Sequence, residues 1–229
     1  MNRIPPDDAI LAPDNEPYFG SPHLRRFDEH IVSILEANDR LAPSVRELKK
    51  TEIQRAACQL IPEAISLALS IRELIRHGYL FGAFMLIRPL AERVTILLYL
   101  EKNPLEIKKW AAGWLGVGMN RAPGFAEMLE DFMGKGVKGF TAPLNDLIHG
   151  KPGSAHWSLR LMDEKKFGHS AFRCLDNPNF CDTMSRLSVS WISILMERMF
   201  ALFPDQLGTQ DWVSKQCEVP PETQAGPVQ

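Results

Sequence analysis

Cysteine is scarce and scattered. Cys58, Cys174, Cys181 and Cys217 are the four in 229 residues, and no two form a Cys-x-x-Cys pair. Neither a disulfide framework nor a zinc ribbon is expected. His169, Cys174 and Cys181 lie near one another, but their gaps fit no common zinc pattern. Free thiols in a reducing cytoplasm are the expectation. An excess of one charge is also missing: 26 Lys and Arg face 28 Asp and Glu, a net of -2. The global basic balance of a nucleic-acid binder is therefore absent, although a local basic patch remains open. There is no GxSxG elbow, no HExxH, no P-loop, and no GxGxxG opening a helix. "GWLGVGMNRAPG" is rich in glycine but follows a helical pattern rather than a strand. No cofactor and no metal are expected. An uncharged membrane-length run is lacking too. Residues 79–100 are apolar enough to suggest one, but Arg88, Glu92 and Arg93 interrupt them, and each charge is costly at a bilayer's centre. "MNRIPPDDAILAPDNEPYFG" has early prolines and acids and no apolar core of secretory length. These absences point to a cytoplasmic chain with no membrane partner.

What is present is helical periodicity. A hydrophobic share of 45% over this length can bury a core without staples. Residues 1–20 are Pro- and Asp-rich and read as an extended arm. Ser21-Pro22 reads as a helix start, and Leu24, Phe27, Ile31, Ile34 and Leu35 recur at three- and four-residue spacing to about 38. A second helix is expected over 44–76, with Ser44 and Glu47 as a capping box, Pro62 as a kink, and His77-Gly78 as its stop. A third, over 79–102, is hydrophobic on nearly all sides and has Pro89 at its middle. Short helices follow at "LEIKKWAAGWLG", "PGFAEMLEDFMGKG" and "FTAPLNDLIHGKPG". Residues 157–175 alternate like a β-hairpin around "DEKKFG". A last helix spans about 179–203, and 205–229 read as a flexible tail. The expected fold class is mainly α: an up-and-down helical bundle over 21–204 with a small inserted β-hairpin. The arm or the tail offers a handle for a protein partner.

Two constellations carry chemistry. Arg88 and Glu92 sit one turn apart within the most apolar helix, sharing a face with Phe81, Phe84, Met85, Thr95 and Tyr99, while Arg93 points elsewhere. An exposed pair in this order is worth only a few tenths of a kcal/mol, so helix support is a poor reason for it. Two readings stay open: a buried pair bracing the bundle, or a pocket where Arg88 holds an anion through its planar fork and Glu92 orients it. The second constellation is "LNDLIHG". Asn145 and His149 share a face, beside Asp146 and Lys151, in the chain's most basic neighbourhood, with Lys135 and Lys138 close by. Histidine would move a proton here near neutral pH. Tyr99, Asp146 and Lys151 are the candidate substrate-binding residues.

"LSIRELIRHGYLFGAFMLIRPLAERVTILLYLEKNP", followed by "LNDLIHG", resembles the core of a bacterial helical family that is itself similar to the HEPN superfamily. The resemblance covers about residues 45–150. It implies a homodimer of the kind found in toxin–antitoxin and antiphage defence systems, acting on RNA without metal. It also implies that His149 is the acid–base group, with Asn145 beside it. Where HEPN ribonucleases carry an arginine before the Asn, this chain has Leu144, which cannot hold phosphate; Arg88 would have to take that role. Arg25…His30 and Arg72…His77 imitate the motif's spacing but lie where the pattern does not place its site. The alternative is a non-catalytic helical binding module, its polar cluster a brace or an anion sensor that acts through a partner.

Overall fold

A computed structural model describes residues 16–43, 49–114, 123–134, 159–163, 166–169 and 177–208. It is mainly helical. The elements are α1 (Pro22–Leu41), α2 (Glu52–Arg76), α3 (Leu80–Lys102), a 3₁₀ turn (Pro104–Glu106), α4 (Ile107–Ala111), α5 (Phe125–Met133), strands β1 (Leu159–Asp163) and β2 (Lys166–His169), α6 (Pro178–Leu202) and α7 (Pro204–Leu207).

Capping chemistry sets the boundaries. Ser21 Oγ accepts from Leu24 N at 3.1 Å, with Pro22 in the first turn of α1. For α2 the expected Ser44 start is corrected. Lys49 and Lys50 are not helical, and the cap is Thr51, which forms a reciprocal capping box with Gln54. Gln54 is the more useful partner because its amide also donates to the Leu202 carbonyl at 2.7 Å, joining α2 to α6. Gly78 ends α2 with φ +75°. Its N–H donates to Ile75 O and that of Tyr79 donates to Leu74 O, the paired bonds of a Schellman stop. Asn177 caps α6 by accepting from Phe180 N.

The hydrophobic core comes from the four long helices, with Phe27, Ile61, Ile71, Ile87, Leu90 and Leu97 among its fully buried side chains. Specific contacts fix their directions. A Cβ on Gly82 would lie 3.5 Å from Leu74, and Arg93 pairs with Glu63 at 2.6 Å, so α2 and α3 run antiparallel. Arg72 meets Asp28, and a surface recess is lined by Asn38 and Leu41 of α1 with Cys58 and Pro62 of α2, so α1 and α2 are antiparallel as well. The fourth long helix breaks the alternation. Phe180 packs edge-on against Phe84 and Arg198 reaches Glu101, so α6 runs parallel to α3.

The chain ends of the described region are tied in rather than loose. Glu16 pairs with Arg72 at 2.5 Å, Tyr18 is buried, and its hydroxyl accepts from Asn177 N at 3.4 Å. Ser21 Oγ donates to Asp182 at 2.6 Å. Residues 17–20 form a turn, and residues 1–15 of the expected extended arm lie outside the described residues. Likewise α7 continues past the expected end of the bundle, because Leu207 finds a buried site. β1 pairs antiparallel with β2, with Leu159 opposite His169 and Asp163 opposite Lys166 in the backbone register. The expected helix at "FTAPLNDLIHGKPG" lies outside the described residues.

Candidate functional site

The site is built on α3. Its sequence is apolar enough to be covered on most sides, and α2, α5 and α6 all pack on it. The expected face around Arg88 divides. Phe84 and Thr95 turn into the core, whereas Phe81 stays exposed at 42%. Arg88 lies between these environments. Its side chain is 13% accessible and that of Glu92 is 33%, with Arg88 Nη2 to Glu92 Oε1 at 3.5 Å. The guanidinium carbon stands 4.0 Å from the centre of the Phe125 ring. Such a cation–π contact is worth roughly 0.5–2 kcal/mol, rising as water is excluded. Phe125 itself is buried, at the first turn of α5. That helix begins where Gly124 N donates to Glu127 Oε2 at 2.5 Å. Arg93 points away from the pair, to Glu63 of α2, as its wheel position predicts.

Tyr99 lies three turns further along α3. Its ring is 6.3 Å from that of Trp114. Burial, reinforced by the Glu106 and Asp131 carboxylates, pushes its phenol above the usual range. Tyr99 borders a surface cavity of about 240 Å³ between α3, α5 and α6, where Leu98, Met128 and Phe132 meet Lys102, Asp131 and Arg198. Lys102 Nζ holds Asp131 at 2.8 Å and Asn103 donates to it at 3.2 Å; both contacts lower that carboxyl's pKa. Arg88, Glu92 and Tyr99 therefore share the side of α3 that α5 covers. Asn145, Asp146, His149 and Lys151 lie outside the described residues.

Phe125 was missed by sequence reasoning. Nothing local marks it, since an apolar residue after Pro-Gly reads as ordinary helix core, and its partner is 37 positions earlier on the chain. The discounted arginine, Arg72, is fully engaged elsewhere. Nε donates to Asp28 Oδ1 and Nη2 donates to Oδ2 at 3.0 Å, while Nη1 faces Glu16. Burial alone would lower its pKa, but those carboxylates outweigh it and raise it. Next to this cluster, burial pushes the Cys181 thiol up to about 12, so it is a packing group rather than a nucleophile. Among the described residues no cluster of His, Cys, Asp and Glu is placed to hold a metal, and no helix is long and apolar enough to cross a membrane. No family model, curated protein or solved structure matches this chain.

Proposed function

We propose that the chain is a HEPN-like RNA-binding protein of a bacterial defence or toxin system that cleaves RNA by metal-independent transesterification. The observation that carries this reading is the setting of Arg88, oriented by the Phe125 ring and Glu92 at a partly accessible position. A guanidinium fixed in advance loses less entropy on taking a phosphate than a free one does. In this reading His149, with Asn145 beside it, accepts the proton of a ribose 2′-hydroxyl. The 2′-oxygen attacks phosphorus, the bond to the 5′-oxygen breaks, and the leaving oxygen takes a proton back from His149. Arg88 steadies the charge that builds on the phosphoryl oxygens, the role that Leu144 cannot fill. Tyr99, Asp146 and Lys151 line the approach. The working form is a cytoplasmic homodimer of helical bundles, with β1–β2 as an inserted hairpin.

A second reading is a binding module without catalysis, and it draws on the same contact. Phe125 covers Arg88 and is itself only 4% exposed, which suits a brace. Incubating total bacterial RNA with the protein in EDTA separates the two. Discrete fragments ending in 2′,3′-cyclic phosphate from the wild type, lost in both His149→Ala and Arg88→Ala, support the enzyme. Intact RNA with every folded protein leaves the binding module.

A further inference from the structure

A second surface has the composition of a strand-binding groove. On α2, Glu52, Arg55, Ala56 and Gln59 recur at three- and four-residue spacing and so share one face. Asn103-Pro104 ends α3, and the buried Ile107 draws α4 back against that face. Between them runs an open groove of about 300 Å³, walled on the α4 side by Lys108, Trp110 and Ala111. Trp110 is half-buried, with part of its indole on the core. Arg55 and Lys108 are exposed, and among the described residues neither is in an ion pair. Lys49 and Lys50 immediately precede the cap of α2. Lys109 is held by Glu106 at 2.6 Å, which leaves Glu52 as the groove's own carboxylate. Cations therefore exceed acids here, in a chain whose net charge is -2.

We propose that this groove binds one nucleotide of a single-stranded RNA, its base against Trp110 and its flanking phosphates on Arg55 and Lys108. The combination of an aromatic wall with exposed cations is what a single strand requires, since every base offers a flat face and every link an anion. The volume suits one nucleotide unit rather than a folded protein surface. Gln59, exposed on the same face, supplies an amide for a base edge. The pairing of Glu63 with Arg93 places this end of α2 beside the C-terminal turns of α3, roughly 15–20 Å along the helix from Arg88. A strand held at both places is gripped at two separate points. The inference rests on the RNA reading above but uses none of its site residues.

The test is fluorescence anisotropy with a labelled unstructured RNA of about 12 nucleotides, spanning both points. A His149→Ala background keeps the RNA intact, and unlabelled heparin serves as a base-free polyanion. Arg55→Glu with Lys108→Glu should weaken RNA binding at least about tenfold and flatten its salt dependence. Trp110→Leu should weaken RNA but not heparin, and Trp110→Tyr, which keeps a ring, should recover most of the loss. RNA binding unchanged by the double charge reversal overturns the groove and leaves the RNA reading standing. Equal losses for RNA and heparin, with Trp110→Leu silent, reduce the groove to a general polyanion face and overturn the nucleotide site. No RNA binding by the background protein overturns both.

Discussion

Arg72 and Arg88 are similarly buried, with side chains 16% and 13% accessible, yet their surroundings differ. Arg72 is gripped by Asp28 of α1 through two nitrogens and by Glu16 of the preceding turn through a third. It therefore ties α2 to two other parts of the fold. The Arg88–Glu92 pair joins α3 to itself and spans 3.5 Å. Toward α5, the Arg88 guanidinium stands over the Phe125 ring, an aromatic face that attracts charge without neutralising it. Burial by itself does not distinguish the two arginines: Arg72 meets carboxylates from other parts of the chain, whereas Arg88 meets a carboxylate of its own helix and an aromatic ring.

The contrast is sharpest at Arg72. Arg72→Met should cost about 3–5 kcal/mol in urea unfolding, because it strands the Glu16 carboxylate, whose side chain is only 6% accessible. A loss below about 1 kcal/mol would break the clamp half of the comparison. Arg88→Met should cost less, about 1–2 kcal/mol, since methionine keeps contact with the Phe125 ring. The same substitution should abolish RNA cleavage, and retained activity would return Arg88 to a bracing role. Glu92→Gln should change stability by no more than about 0.5 kcal/mol, as suits an i,i+4 pair in the weaker order. A loss of several kcal/mol in thermal or urea unfolding would make the pair a structural brace after all.

The smallest expected effect concerns pH, on the helix that supplies Asp28. His30 is buried on α1, and its Nδ1 lies 2.8 Å from Arg26 O. Burial lowers its pKa from 6.5 despite that hydrogen bond, with Arg26 and Glu29 exerting opposing charge effects. The unfolded chain therefore takes up the proton first. Its contribution to stability is complete above about pH 6.5 and is lost as pH falls from there through the folded value. Urea midpoints between pH 5 and 8 should show a decline on the acid side that His30→Gln makes shallower.

Where the sequence was readable, the controlling interaction was local. Ser21 capping α1, Gly78 closing α2 and the Arg88–Glu92 spacing all act within one or two turns. The start of α2 was misplaced because Ser44…Glu47 and Thr51…Gln54 are both capping patterns. The choice falls to Gln54, whose amide reaches α6 148 residues away. Arg72 illustrates the limit. Its partners are 44 and 56 positions distant, so spacing showed only a false motif with His77. The Arg88 half of the candidate site could be read in the same local way, but Phe125 could not, since the packing of α5 on α3 is a tertiary fact.

The parallel course of α6 has a kinetic consequence. α1, α2 and α3 are each joined to the next by a short chain segment, so their contacts close small loops, such as the 30 residues between Glu63 and Arg93. α6 returns to the same end from which α1 and α3 start, and its first turn meets Ser21 across 161 residues. Loop closure on that scale is slow compared with pairing between neighbouring helices. Newly made chains should therefore pass through a stage in which α1–α3 have paired and their apolar seam is open. In that interval the core face of α3 is available to whatever reaches it first, whether α6 or a second chain at the same stage.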